Sequence, residues 1–347
     1  MKVLFWGTPA YAVPTLEALV RAGHGVVGVV TQPDRRRGRG KSLQPSPVKQ
    51  RALDLGLPAI TPERIRNQPQ LQAELADLEA EISVVVAFGQ ILPRTVLDQP
   101  PLGCWNGHGS MLPRWRGAGP IQWSLLSGDR STGVGVMAME EGLDTGPVLL
   151  QRELAISLRD TAESLATRLS GLTAELMVEA LPLIEAAGSG SEQDRWRRLG
   201  VTPQEQLAGE QCYARMLNKQ DHLLDWNRSA LDLHRQVMGL YPNAFTSWRN
   251  KRLKIRSSEP LVERLKDELS EDCRHLLGQW QPGADPAGTV LALDDSLGMI
   301  VSTSGCPLLI REAQLEGKAS AAGQVLLQQL QARVGDRFNQ DESTAAN

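Results

Sequence analysis

Cysteine is scarce in this chain. Its four residues, Cys104, Cys212, Cys273 and Cys306, are scattered with no C-x-x-C among them. That spacing excludes a disulfide framework and a zinc ribbon, and points to a reducing cytoplasm. Aromatics are also few, at 4%, and eight of them are Trp, a share that marks no class. The apolar run Val3 to Trp6 is cut by Gly7-Thr8-Pro9. It falls far short of the ~20 residues of a membrane helix or the ~7 to 15 of a signal peptide, so neither a membrane nor an export role is expected. No charge excess exists either: the net charge is −3, which excludes a uniformly basic nucleic-acid binder. What remains is a globular composition, 41% apolar and 22% charged, over 347 residues. That length exceeds the usual ~100 to 200 of one domain, so two are expected.

The order of elements supports that division. Lys2 to Trp6, Ala10 to Ala22 and Val26 to Val30 read strand, helix, strand. Further strands at Ile82 to Ala87 and Val134 to Met139, separated by helices such as Gln70 to Leu78, call for an α/β domain: a Rossmann-like, mostly parallel sheet with helices on both faces. Asp160 and Glu163 resemble a capping box opening a helix along Leu165, Leu169, Leu172, Leu176 and Ala180. The expected catalytic domain spans 1–188, followed by a small, polar linker over 189–205. Short strands at Arg252 to Ile255, Gly288 to Leu293, Met299 to Ser302 and Leu308 to Ile310, with a helix at Ser229 to Leu240, predict a C-terminal OB-like β-barrel over 206–335. Residues 336–347 read as a polar tail.

The loop after the first strand, GTPAYA, departs from the G-x-G-x-x-G of a dinucleotide site, which argues against a dehydrogenase. In LGCWNGHGSMLP, from Leu102 to Pro113, a strand over Cys104 to His108 projects Asn106 and His108 from one face. One face thus carries an amide and an imidazole; a histidine tied up in a turn is the plainer alternative. No second pair with ligand spacing accompanies Cys104 and His108, so no metal is expected. Ser110 sits outside any nucleophile elbow. Met139 to Gly146, MEEGLDTG, follows a strand, so Asp144 emerges at the carboxyl edge where His108 does and can meet it, or simply close an Asx turn.

Charge is local. Asp34 to Arg51 carries seven basic residues against one acidic in a Gly- and Pro-rich, mobile loop; phosphate-backbone contact explains that density better than solvation. Glu210 to Arg256 adds nine basic against four acidic, with Lys251, Arg252 and Lys254 along a strand where two or three can follow one phosphate track.

The run N-G-H-G-S-M-L-P-R-W-R-G-A-G-P-I-Q from Asn106 to Gln122, with G-L-D-T-G from Gly142 to Gly146, resembles the folate-dependent formyltransferases. F-W-G-T-P at Phe5, T-Q-P-D-R at Thr31, G-R-G-K at Gly38, P-S-P-V-K at Pro45, Y-A-R-M-L-N-K at Tyr213 and L-D-W at Leu224 extend the likeness along nearly the whole chain, to the branch that acts on methionyl-tRNA. Two departures are small: Gly107 where an aliphatic residue is usual, and Gly135 where Thr is common.

The resemblance implies 10-formyltetrahydrofolate as co-substrate and initiator methionyl-tRNA as acceptor. A formylated initiator implies a bacterial or organellar setting, the absence of a presequence favours the bacterial cytoplasm, and no metal, membrane or obligatory protein partner is expected. It implies catalytic roles for Asn106, His108 and Asp144. It implies folate contacts from Ala87, Phe88, Gly89, Ile91 and Leu92, mainly through backbone, and from Ser110, Met111, Leu112 and Pro113. Arg35, Arg36, Arg37, Arg39 and Lys41, with Lys251, Arg252 and Lys254, are then the tRNA-binding residues. The competing expectations are a relative that formylates a nucleotide sugar or another small amine, and an idle RNA-binding protein that kept the fold.

Overall fold

The computed structural model describes residues 1–37 and 42–339, the side chain of Arg37 excepted. A seven-stranded sheet runs in the spatial order Val148–Ala155, Ser131–Ala138, Cys104–His108, Ile82–Val86, Lys2–Gly7, Gly25–Val30, Ala59–Ile60. The last five of these strands are mutually parallel, and the first two pair antiparallel. Val3, Leu4, Phe5 and Trp6 are all at most 2% exposed, so consecutive residues, pointing to opposite faces, are buried on both. Each such side chain contributes about 1.5–3 kcal/mol of hydrophobic stabilisation, which is why an unbroken apolar run marks a central strand. The chain leaves Lys2–Gly7 toward Gly25–Val30 on one side and returns to Ile82–Val86 on the other. That reversal opens a crevice beyond the carboxyl ends of the two strands, where open α/β sheets bind ligands.

Two compact units result. The first comprises Met1–Pro120, Ser131–Ala155 and Ala166–Met216; the second comprises Ile121–Arg130, Ile156–Leu165 and the chain from Leu217 on. The segment expected as a linker, 189–205, instead holds the helix Glu192–Leu199, capped by the Ser191 hydroxyl and closed by Gly200 at φ +64°. It belongs to the first unit. Its polar composition reflects a helix that buries no residue completely, not an absence of structure. The helix Ala162–Ala187 begins one residue later than the expected box: Thr161 Oγ1 accepts from Ser164 N and Ser164 Oγ from Thr161 N, both at 3.0 Å, while Asp160 Oδ1 accepts from the Ser164 hydroxyl.

The second unit is built on an antiparallel sheet ordered Phe245–Trp248, Lys251–Pro260, Leu308–Leu315, Gly298–Val301, Val290–Asp294, with Ala321–Ala322 beside Leu308–Leu315. Among the described residues the first and last of these strands do not pair to close a ring. Helix Ala230–Gly239, capped by Ser229, supplies Leu233 and Val237 to a core with Trp226, Trp248, Ile255, Val301 and Ile310. Phe338 completes that core, 3% exposed and stacked on Trp226 with centroids 4.7 Å apart. Residues 336–339 are therefore structural and not the start of a tail; the rest of that expected tail lies outside the described residues.

Candidate active site

The strand Cys104–His108 carries the site. Alternation along it leaves Asn106 half-buried and His108 buried, with Gly107 between them. Gly107 has a local reason: a Cβ there would stand 2.5 Å from Thr173 Cγ2 on the covering helix. Thr173 is held by Leu169 O and by the Tyr11 hydroxyl, so it cannot turn aside. Burial pushes that Tyr11 hydroxyl up to about 12, which keeps it neutral. At Gly135, the other departure, a Cβ would meet nothing closer than 3.5 Å.

Asp144 joins the two site residues. Its Oδ1 accepts from Asn106 Nδ2 at 3.3 Å, and its Oδ2 lies 3.7 Å from His108 Nδ1 while accepting from the Gly117 backbone N–H at 2.8 Å. The loop that presents it is tightly wound. Asp144 sits at φ +53°, a left-handed conformation costly to a residue with a side chain, and a Cβ on Gly146 would be 1.9 Å from Ala138 O.

His108 is fixed from its other side. Its Nε2 lies 2.9 Å from Trp115 O. A carbonyl oxygen only accepts, so Nε2 carries a proton, and Nδ1 is the nitrogen turned to Asp144. Trp115 delivers that carbonyl from φ +62°, and Ser110 Oγ donates to Arg114 O at 2.7 Å, tying down the same turn. Ser110 is thus a strut in this loop, fully buried.

The loop after Ile82–Val86 emerges at the crevice. Phe88 O accepts from Thr8 Oγ1 at 2.8 Å and from Gln32 Nε2 at 3.3 Å, which fastens this loop to the one after the first strand. Ala87, Gly89 and Ile91 are exposed, whereas Phe88 and Leu92 are buried and Phe88 packs edge-on against Trp6. In the next loop Leu112 and Pro113 are buried and Met111 is half-exposed. Of the nine residues expected to meet folate, five therefore spend their side chains on the protein interior and have at most backbone to offer a ligand.

Arg35–Arg37 pairs with Ser42–Gln44 as an antiparallel ladder, so the described part of the basic segment is a hairpin instead of an irregular loop. At its base Lys49 pairs with Asp34 at 2.8 Å and Arg51 with Glu17 at 2.7 Å. Arg35 and Arg36 are exposed; Arg39 and Lys41 lie outside the described residues. In the second unit Leu253 and Ile255 turn inward, which puts Arg252, Lys254 and Arg256 on one face and makes Arg256, not Lys251, the third member of the stripe. The Arg252 guanidinium lies 3.7 Å over the Phe245 ring. Partial burial, with Arg252 and Arg256 alongside, lowers the pKa of Lys254.

Other chemistry-bearing groups are accounted for locally. Burial pushes the Cys104 thiol up to about 12, and it donates to Leu97 O. Glu259, Asp272 and Cys273 lie close together, but the Arg311 guanidinium occupies the carboxylates, at 2.7 Å from Glu259 and 2.5 Å from Asp272.

Comparison with known proteins then decides the family. Residues 1–181 match the formyl transferase family and 216–331 its C-terminal domain. The methionyl-tRNA formyltransferase of Prochlorococcus marinus strain MIT 9313 is 65% identical over 96% of this chain and 97% of its own, and that of Synechococcus sp. strain CC9605 is 66% identical over 98% and 100%. The chain belongs to the methionyl-tRNA formyltransferase family. Among solved structures the fold is shared with the sugar 3N-formyltransferase WlaRD, at a TM-score of 0.59, 17% identity, and 92% and 99% coverage of the two chains. It is shared also with HypX from Aquifex aeolicus in complex with tetrahydrofolic acid, at 0.57 and 16%, over 97% of this chain and 48% of that one. As a family member the chain is a one-carbon group transferase of translation initiation, and no helix among its described residues is long and apolar enough to cross a membrane.

Within the site, sequence reading missed Gly117, Trp115 and Gln204, which serve Asp144 or His108 directly. Trp115 and Gly117 both lie inside the R-W-R-G run quoted above, whereas Gln204 falls in the segment expected as a linker.

Proposed function

We propose that this protein transfers the formyl group of 10-formyltetrahydrofolate to the α-amino group of methionine on initiator tRNA. The observation that carries the reading is the Asp144 carboxylate shared between Asn106 Nδ2 and His108 Nδ1, in a chain 65% identical to a methionyl-tRNA formyltransferase. Attack of the amine on the formyl carbon creates a tetrahedral oxyanion, which needs donors placed where the charge develops. The Asn106 amide supplies one, and His108, when Nδ1 also carries a proton, supplies another. The amine must shed a proton and the leaving folate nitrogen must gain one; Asp144, within reach of both partners, takes and returns it. No covalent bond to the protein is needed.

The folate is held at the crevice by the backbone of the 87–91 loop, where Ala87, Gly89 and Ile91 are exposed, and by the 110–113 loop. The basic hairpin around Arg35 and Arg36 takes acceptor-end phosphates, and the Arg252, Lys254 and Arg256 face takes the body of the tRNA, in the bacterial cytoplasm. The test is transfer of labelled formyl from 10-formyltetrahydrofolate to methionyl-tRNA against small amine acceptors, including an amino sugar nucleotide. Transfer to the tRNA alone is expected; a preference for a small amine would overturn the assignment of acceptor.

A further inference from the structure

Asp144 needs a reason to stay where it is. It stands in a left-handed conformation in a surface loop whose neighbour Leu143 is 52% exposed. Such a loop relaxes unless its surroundings hold it. The restraint comes from a segment nearly sixty residues downstream, past the last residue of the matched N-terminal family region.

Gln204, 2% exposed, donates from Nε2 to Asp144 O at 2.9 Å and to Gly146 O at 2.7 Å. Its Oε1 accepts from Arg116 Nε at 2.8 Å. Arg116 is itself 3% exposed and immediately precedes Gly117, whose N–H holds Asp144 Oδ2. One carboxamide thus links the backbone of the Asp144 loop to the strand that grips the Asp144 carboxylate. All three of its polar bonds are spent inside this small circuit. The segment carrying Gln204 is anchored on both flanks: Thr202 exchanges backbone hydrogen bonds with Val148, and Tyr213 and Ala214 pair with Arg116 and Gly117. Here lies the reason the 200–216 segment belongs to the catalytic unit.

We propose that Gln204 is a positioning residue for formyl transfer: its carboxamide fixes the backbone of the Asp144 loop, and so sets the carboxylate against Asn106 and His108. This rests on the catalytic reading of Asp144 given above. It predicts an effect on chemistry more than on binding, because Gln204 reaches the reaction only through Asp144.

Two substitutions test it. Gln204→Met keeps the length and removes every polar bond. Gln204→Glu keeps an acceptor for the buried Arg116 and loses both donations to the loop. Each should lower kcat by roughly 10- to 100-fold, the scale of a displacement of about 1 Å in a positioned group, with the KM for folate changed less than about threefold. Combined with Asp144→Asn, neither should lower kcat further, since residues acting through one another are non-additive. A folded Gln204 variant with kcat within about twofold of wild type would overturn the proposal. So would a full multiplicative loss on the Asp144→Asn background. Collapse of the fold in both variants, seen by circular dichroism, would assign Gln204 to stability and likewise overturn it. Wild-type activity in Asp144→Asn alone would instead overturn the catalytic reading of the carboxylate.

Discussion

His108 and His234 are both buried, 6% and 1% exposed, one in each compact unit. Each turns Nε2 to a backbone carbonyl, Trp115 O at 2.9 Å and Leu158 O at 2.7 Å. They part at Nδ1. That of His234 faces the Ser258 hydroxyl at 3.1 Å, a neutral partner that donates to it, and burial depresses the His234 pKa. That of His108 faces a carboxylate on a left-handed loop. A histidine served at both nitrogens by neutral groups is part of a core. One whose second nitrogen meets a carboxylate beside an amide is arranged to handle a proton, and burial alone does not separate the two cases.

The sharpest break of this comparison removes the carboxylate. Asp144→Asn keeps the shape and loses the proton acceptor, so kcat for formyl transfer should fall by roughly 10² to 10⁴, with equilibrium folate binding little changed. Next in size is the basic hairpin. Arg35→Glu with Arg36→Glu should raise the KM for methionyl-tRNA and flatten the slope of log K against log salt by roughly 0.7 to 0.9 per lost phosphate contact. Folate affinity should stay as it was.

Acid bears on the second unit through His234. The pKa of His234 is lowered in the folded state, so the unfolded chain binds more protons once pH drops below about 6.5. The stability it contributes is complete above that value and is lost as pH falls toward the folded pKa, at up to about 1.4 kcal/mol per pH unit. Thermal melts from pH 7.5 to 5.5 should show this slope, and His234→Phe should reduce it. The smallest effects concern two glycines of the first unit. Gly107→Ala must displace the pinned Thr173 and should cost about 1–3 kcal/mol. Gly135→Ala has room and removes a flexible residue from a strand, so denaturant titration should show a gain of about 0.5–1 kcal/mol.

The same contrast explains what could be read in advance. The central strands announce themselves because burial on both faces demands unbroken apolar runs, as at Val3–Trp6 and Ile82–Val86. A strand's repeat of two puts Asn106 and His108 on one face, and the convergence of carboxyl-edge loops brings Asp144 toward them. Gln204 stayed hidden: a buried carboxamide in a polar stretch carries no periodic signal, and its partners are 58 to 88 positions away. Phe338 was hidden too, a lone aromatic among polar residues whose stacking partner, Trp226, lies over a hundred residues earlier. Arg256 was available to the period-two argument, which points from Arg252 to Lys254 and on to it.

The most direct test of the account sets the two histidines side by side, measuring kcat for formyl transfer to methionyl-tRNA in His108→Ala and His234→Ala at a temperature where both are folded. A loss of roughly 10² to 10⁴ is expected for His108→Ala, with activity within a few-fold of wild type for His234→Ala. Near wild-type turnover in His108→Ala would contradict it.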